Sequence, residues 1–464
     1  VLEDAIHGSA PRFIICDPES AALARELSGR VLVLGGANEE RHLPPDAVDM
    51  EAIDPAAVEL PGWYEPNPGC ARDLALIMLT AGRGRKPRAA KITNQRWAFS
   101  AYGTAAACTL SPRDTVYCCL PLHHPAGMLV TVGGSLVGGS RLALATHFEP
   151  ETFWDDVHRY GATVVFYAGE MLRALLAAPP SATDNQNPIR LFAGSGLRRT
   201  VWRRIVDRFG PVGVLEFYAS TEGNAVLANA SGEKVGALGR PLPGSAEVEL
   251  VRYDFDRAEF PRDERGLLLR VADGGEGILL ARLDAEHPLA SFTGGDEAGS
   301  RLIRGVLEPD DTWFVTWDVL RRDSDGDFWF VDRASRMLAT ERGRVATRAI
   351  ENAMDELASL RQTVVYGGKD GAVAVVVTED DRPLDLEAWN EFAARLDPSL
   401  LPQWVKRVAA IPMTDGFRPN KAALEGQSLE AGLELFRRDP STGHYLSVGT
   451  DLDPAGGCAA TSVQ

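Results

Sequence analysis

The sequence predicts an α/β protein: a large layered core with mostly parallel sheets, a β-rich segment, and a small α+β region towards the C-terminal end. Three observations predict it. From Arg12 to about Leu250, short β-rich runs alternate with stretches of helical periodicity, the pattern of strands joined by covering helices. From about Glu247 the pattern changes to alternating segments such as Val248-Glu249-Leu250-Val251 and Gly266-Leu267-Leu268-Leu269-Arg270, which suit a β-rich subdomain. Beyond Ser335, helical and strand-like runs mix on a smaller scale.

In chain order, strands are expected at Phe13–Cys16, Arg30–Leu34, Ala75–Leu79 and Thr163–Tyr167, and helices at Ser20–Leu27, Glu151–Tyr160 and Val201–Phe209. The longest apolar stretch, Ala126 to Leu144, contains five glycines and Arg141. It reads as a buried helix followed by a strand, because a membrane span needs about 18 or more nearly uninterrupted apolar residues. Tyr253 to Arg265 is strongly charged and reads as a solvated loop. Asp318 to Arg333 reads as two strands joined by an Asp-rich turn. Calcium at Asp323, Asp325 and Asp327 is disfavoured, since the calcium loop would need a bidentate Glu where Ala334 stands. The last region suits a helix at Arg348–Leu357, strands at Gln362–Tyr366 and Val373–Thr378, and a helix at Leu386–Leu396.

Composition narrows the function. A chain of 464 residues, 45% of them hydrophobic, can bury a sizeable core in two or three domains. The net charge of −17, from 48 basic and 65 acidic residues, argues against nucleic acid as a partner. Six cysteines without a CxxC pair suit reduced thiols in a cytoplasmic protein. Val1-Leu2-Glu3-Asp4 is acidic, unlike a targeting segment, so any membrane association is expected to be peripheral. Asn229-Ala230-Ser231 is a formal sequon, read as chance.

The chemistry concentrates at Leu215-Glu216-Phe217-Tyr218-Ala219-Ser220-Thr221-Glu222-Gly223-Asn224, where an apolar strand runs into an aromatic, a hydroxyl pair and a carboxylate. Ligands of open α/β sheets gather at such carboxyl ends. Tyr218 could stack on a purine, Thr221 could donate to phosphate, and Glu222 could hold a hard divalent cation. Leu191-Phe192-Ala193-Gly194-Ser195-Gly196-Leu197-Arg198 precedes this segment and Gly236-Ala237-Leu238-Gly239-Arg240-Pro241 follows it.

This ordered set resembles the adenylate-forming superfamily of acyl-CoA synthetases, luciferases and nonribosomal adenylation domains. Its wording, with Trp202 upstream of Glu216-Phe217-Tyr218, is most similar to the fatty acid transport protein and very-long-chain acyl-CoA synthetase branch. Further matches run from about Leu76 to Tyr445. The resemblance implies an adenylation core over 1–333, its β-rich subdomain at about 245–333, and a cap over 334–464. It also implies further N-terminal elements before Arg12 that have no place here, so a shortened form or a piece of a longer chain is expected.

The implied reaction activates a fatty acid with ATP and Mg2+ through an acyl-adenylate, then forms a thioester with coenzyme A. His124 matches the histidine beside the acyl pocket. Gly194, Ser195 and Gly196 match the turn against which adenine rests, with Tyr218 on the opposite face. Asp318 matches the aspartate that accepts both ribose hydroxyls, and Arg333 the arginine beside ribose and phosphate. Thr221 and Glu222 complete the cradle, Glu222 as the magnesium ligand.

Other positions depart from the family pattern. The phosphate loop, set in register by Thr80, Gly82 and Pro87, carries Ala81, Arg83 and Arg85 where hydroxyls and glycine are usual, and Arg88 for its terminal lysine. Trp317 replaces a glycine, Arg336 occupies the hinge, and Glu341 and Arg342 replace a lysine and glycine of the loop that swings in for thioester formation. In the terminal motif, Arg418 takes the place of the catalytic lysine and Lys421 that of a second, noncatalytic one. A register making Lys421 catalytic would break the agreement at Phe417 and Leu424. Two readings follow: a fatty acyl-CoA synthetase, or a catalytically impaired relative that binds nucleotide, acyl chain or a partner domain within a larger lipid-metabolising protein. An amino-acid adenylation domain is disfavoured because no acidic residue for the substrate amine can be placed.

Overall fold

A computed structural model of the chain describes residues 6, 9, 11–27, 30–36, 43–65, 69–80, 88–219, 224–289, 291–292, 301–341, 343–414 and 416–448. Its centre is a seven-stranded sheet in the spatial order Arg141–Leu144, Thr115–Cys118, Val164–Ala168, Leu191–Ser195, Gly213–Ala219, Val226–Asn229 and Arg240–Pro241. The first five of these strands run parallel, Val226–Asn229 runs antiparallel to them, and Arg240–Pro241 pairs antiparallel to Val226–Asn229 in turn. Val164–Ala168 is buried along its whole length, as a continuous Val-Val-Phe-Tyr-Ala run in a covered parallel sheet requires. Thr163, expected within that strand, instead donates its hydroxyl to Asp114 at 2.9 Å just outside it.

The covering helices follow their apolar spacing. Arg199–Phe209 buries Val201, Trp202, Ile205 and Phe209 on one stripe against the sheet. Each such side chain stabilises the core by about 1.5–3 kcal/mol on leaving water. Phe153–Tyr160 begins with Asp155 and Asp156 and ends with His158 and Arg159, charges that complement the helix dipole. The apolar stretch from Ala126 is wound as a turn of π-helix over Ala126–Val132 and a helix over Gly133–Gly138, with the strand Arg141–Leu144 after it. Gly133 and Gly134 press on Trp97 and Thr104 of the helix Asn94–Ala107, where an added Cβ would lie only 2.8 and 2.7 Å from their side chains. Among the described residues no helix is long and apolar enough to cross a membrane.

The β-rich segment is an antiparallel sheet of Val248–Val251, Glu276–Arg282, Thr312–Arg322 and Leu302–Arg304, with Phe328–Arg333 paired to Thr312–Arg322. Two expectations are corrected here. Gly266–Arg270 forms only single bridges, at Leu268 and Arg270, because its backbone partners come from separate segments. Tyr253–Arg265 is not simply a solvated loop. Tyr253 and Phe260 close on Trp317, with ring centroids 5.4 and 5.8 Å away, while the charged neighbours stay outside. Burying those rings outweighs the polarity of the segment as a whole.

The Asp-rich turn holds an ammonium group. Lys234 Nζ lies 2.8, 2.8 and 2.7 Å from Asp323, Asp325 and Asp327. Asn229 of the formal sequon is buried, its amide donating to the carbonyls of Lys234 and Ala237 at 2.8 and 3.2 Å.

The C-terminal region is α+β. Leu360–Gly368, Gly371–Thr378, Trp404–Arg407, Glu434–Arg438 and Tyr445–Ser447 form one sheet, Gly371–Thr378 running parallel to Trp404–Arg407. Helices Thr347–Met354 and Leu386–Ala393 bury Ile350, Met354 and Trp389 with Tyr445 in its core. Both helices end earlier than their apolar pattern suggests, at Met354 and Ala393, because Leu357 and Leu396 belong to the turns that follow.

Candidate active site

The carboxyl ends of Val164–Ala168, Leu191–Ser195 and Gly213–Ala219 lie side by side, so the chain turns that leave them form one surface. Beneath it sits Glu216, only 3% exposed. Its carboxylate accepts the backbone N–H groups of Gly196 and Leu197 and the hydroxyl of Tyr167, the last at 2.5 Å. A carboxylate in an apolar strand is costly unless its lone pairs are satisfied, and here they hold the Gly194–Gly196 turn in place. Burial raises the Glu216 pKa to about 7, against the opposing effect of the Tyr167 and Gly196 hydrogen bonds.

That shift carries a prediction. A carboxyl raised in the folded state contributes its stability fully below the unfolded value and loses it as pH rises through the folded one. Wild-type protein should therefore lose roughly 3 kcal/mol of stability from this group between about pH 4.5 and 7. Glu216→Gln should flatten that part of the curve, as read by denaturant titration at stepped pH. An unchanged slope would remove Glu216 as the titrating group.

Tyr218 ends the same strand and donates its hydroxyl to Asp318 Oδ2 at 2.7 Å. Burial and the adjacent Asp318 charge push the phenol well above its ordinary pKa, so it stays a donor. Asp318 is itself raised by burial, opposed by Tyr218 and Arg333. Asp318 and Arg333 are register partners across the hairpin. Trp317, the residue before Asp318, holds a left-handed backbone with φ 61°, unusual for a bulky residue and fixed by the Tyr253 and Phe260 packing.

The C-terminal region reaches into this surface. The turn at Gly416–Phe417 brings Arg418 to Ser195, with the guanidinium 3.5 Å from its hydroxyl, a long contact. Arg418 is open to solvent along one side, yet surrounding protein and the neighbouring Arg333 charge lower its pKa, with Glu216 and Asp318 acting oppositely. His124 lies on the same cleft with one side open to solvent: surrounding protein and the Arg418 charge lower its pKa, and its Nδ1 accepts the Ala126 N–H at 3.1 Å. The structure thus gathers His124, Ser195, Tyr218, Asp318, Arg333 and Arg418.

Two lysine-motif positions separate cleanly. Lys421 Nζ is tied to Glu351 at 2.8 Å and to the Thr347 hydroxyl at 2.9 Å, away from Ser195. Arg336 pairs with Glu425. Thr80 and Arg88 are register partners at the ends of paired strands, but their side chains, like Gly82, Arg83, Arg85, Thr221, Glu222 and Arg342, lie outside the described residues.

Docking of the C-terminal region rests on buried charge that sequence reasoning missed. Arg198 pairs with Glu351 and donates to Asn352 at 3.0 Å. Arg173 pairs with Glu170, lies 3.3 Å from Asp355 and donates to the Arg361 carbonyl at 2.8 Å. Except for Glu170, three residues before Arg173, these partners stand far apart in sequence and leave no local signal. Glu216 had one: a carboxylate inside Val-Leu-Glu-Phe-Tyr must find partners.

A layered α/β core with a cleft at its strand ends, closed by an α+β region that delivers a cation, defines the architecture of an adenylate-forming enzyme. The chain belongs to the AMP-binding enzyme family, whose model it matches over residues 2–272. It is 31% identical to human long-chain fatty acid transport protein 3 over 423 residues, 88% of this chain and 62% of that protein. It is likewise 31% identical over 400 residues to the medium/long-chain-fatty-acid–CoA ligase FadD6 of Mycobacterium tuberculosis (strain ATCC 25618 / H37Rv), 84% of this chain and 66% of the ligase. The chain thus spans somewhat less than two thirds of the length of these relatives. Among solved structures, ATP-bound MatB from Rhodopseudomonas palustris aligns with a TM-score of 0.73 at 21% identity, covering 91% of this chain and 80% of that one. A benzoate CoA ligase from Burkholderia xenovorans LB400 gives 0.72 at 20% identity, with coverage of 91% and 82%. These two likenesses concern the fold.

Proposed function

We propose that this chain performs the chemistry of an AMP-forming fatty acyl-CoA synthetase. The observation that carries the reading is the approach of Arg418 to Ser195 beside Asp318 and Arg333, at the carboxyl ends of the parallel strands. The donor set suits a nucleotide: a carboxylate for vicinal hydroxyls, guanidinium groups for phosphate, and a turn held firm by Glu216 for the base. On this reading 1–333 is the adenylation core and 334–464 its cap, with Arg336 at the hinge.

In the first step a fatty acid carboxylate attacks the α-phosphorus of ATP. A new P–O bond forms as the bond to pyrophosphate breaks, and the departing oxygen takes the electron pair. Arg418 and Arg333 compensate the negative charge that develops. Asp318 orients the ribose, Tyr218 braces Asp318, and His124 borders the acyl group. Glu222 with Thr221 would hold magnesium, which would supply positive charge to offset that of the phosphates. In the second step the coenzyme A thiol attacks the acyl carbonyl, the C–O bond to AMP breaks, and the thiol proton passes to solvent. The sequence similarity to FadD6 and the transport proteins supports a fatty acid as substrate.

ATP–pyrophosphate exchange with a panel of fatty acids of graded length tests this reading. Exchange dependent on a fatty acid is expected. No exchange with any acid, together with no ATP binding by calorimetry, would overturn it and leave a noncatalytic interaction role.

A further inference from the structure

We propose that Phe417 is a positioning residue, a wedge that seats the cap against the core and thereby sets the placement of Arg418; the inference rests on the acyl-adenylate reading above.

Phe417 belongs to the C-terminal loop but packs on the core of the large sheet. Its ring meets Phe148 edge-on, with centroids 5.7 Å apart and planes at 88°. Its carbonyl accepts the backbone N–H of Glu170 at 2.9 Å, and its own N–H donates to the Thr414 carbonyl at 2.9 Å. One residue therefore spans the boundary with both its ring and its backbone, immediately before Arg418.

The backbone geometry shows that this fit is specific. Phe417 holds φ 55°, a left-handed conformation that an aromatic residue rarely adopts without being forced into it. Opposite it stands Gly169, φ 50°, where an added Cβ would lie 2.1 Å from the Phe417 carbonyl oxygen. Gly169 in turn donates its N–H to the Ser195 carbonyl at 2.9 Å, and Ser195 carries the hydroxyl that the Arg418 guanidinium approaches. The Phe417 loop, the Gly169 turn and the Ser195 turn are thus stacked, and their spacing decides where the guanidinium lies. Apolar packing supplies the attraction and the carbonyl hydrogen bond supplies the register.

The test uses the full chain and three variants. Phe417→Ala should lower kcat of fatty-acid-dependent pyrophosphate exchange about a hundredfold, the usual penalty of a small misplacement, with KM for ATP unchanged. Phe417→Leu, which keeps apolar volume, should recover most of the rate. Gly169→Ala should reproduce the defect from the opposite side. Amide hydrogen exchange of the peptide containing Glu170 should quicken in Phe417→Ala and Gly169→Ala and stay slow in Phe417→Leu. Wild-type kcat in Phe417→Ala, or a defect confined to KM, would overturn the proposal, as would unchanged protection at Glu170. If the wild-type protein exchanges no pyrophosphate, the adenylation reading fails while protection at Glu170 still decides whether Phe417 seats the cap.

Discussion

Arg418→Ala is expected to reduce acyl-adenylate formation about a hundred- to a thousandfold, the loss that follows removal of one well-placed transition-state donor. Pyrophosphate exchange measures it directly. The loss should appear in kcat more than in KM for ATP, because the charge Arg418 meets develops only as the bond to pyrophosphate breaks. Two other cations among the described residues are held elsewhere. Lys421 is committed to Glu351 and Thr347, and Arg333 belongs to the strand that pairs with Asp318. Arg418→Lys is expected to retain much more activity than Arg418→Ala and to match or exceed the wild type. A lysine ammonium is compact and can bridge carboxylate and phosphate, whereas the guanidinium fork stands against the neighbouring Arg333 charge. Equal rates in the wild type and Arg418→Ala would remove Arg418 from the reaction.

Arg198→Ala is expected to destabilise the protein by about 3–5 kcal/mol, the cost of leaving one partner of a buried ion pair uncompensated. Arg198 and Glu351 have side chains 9% and 2% exposed, so solvent cannot replace the missing charge. Glu351 also receives Lys421 and the Val365 N–H, so its charge would not be wholly orphaned and the lower half of that range is the closer expectation. Denaturant titration gives the magnitude. The pH dependence gives the cause. Burial alone would raise the Glu351 pKa, but Arg198 and Lys421 outweigh it and hold the group at about 2. A depressed carboxyl adds stability above its unfolded value, and that stability fades as pH falls. The gap between wild type and Arg198→Ala should therefore narrow from about pH 4.5 down towards pH 2. A constant gap would assign the effect to lost packing of the Arg198 stem instead.

Much of the fold was legible because strands and helices announce themselves locally. The runs at Phe166 and Val214, the stripe of Val201, Trp202, Ile205 and Phe209, and the glycine-broken apolar stretch from Ala126 all became the elements their spacing predicts. Boundaries drifted where a turn competes with a helix for the last apolar residue, as at Leu357 and Leu396. The segment around Tyr253 misled because its many charges concealed rings that fold inwards onto Trp317.

The sequence by itself determined the layered α/β class, the family, and the positions of Tyr218, Asp318, Arg333 and Arg418 along the chain, since each sits in a short run with its own pattern. Only the tertiary structure decided which cation reaches Ser195, that Glu216 holds the Gly194–Gly196 turn, that Lys234 fills the Asp-rich turn, and that Arg173 and Arg198 fasten the C-terminal region. The physical reason is distance along the chain: Arg198 and Glu351 are 153 residues apart, and Ser195 and Arg418 are 223 apart. Periodicity reports what a residue does to its near neighbours, whereas a buried charge finds its partner only after the whole chain has folded around it.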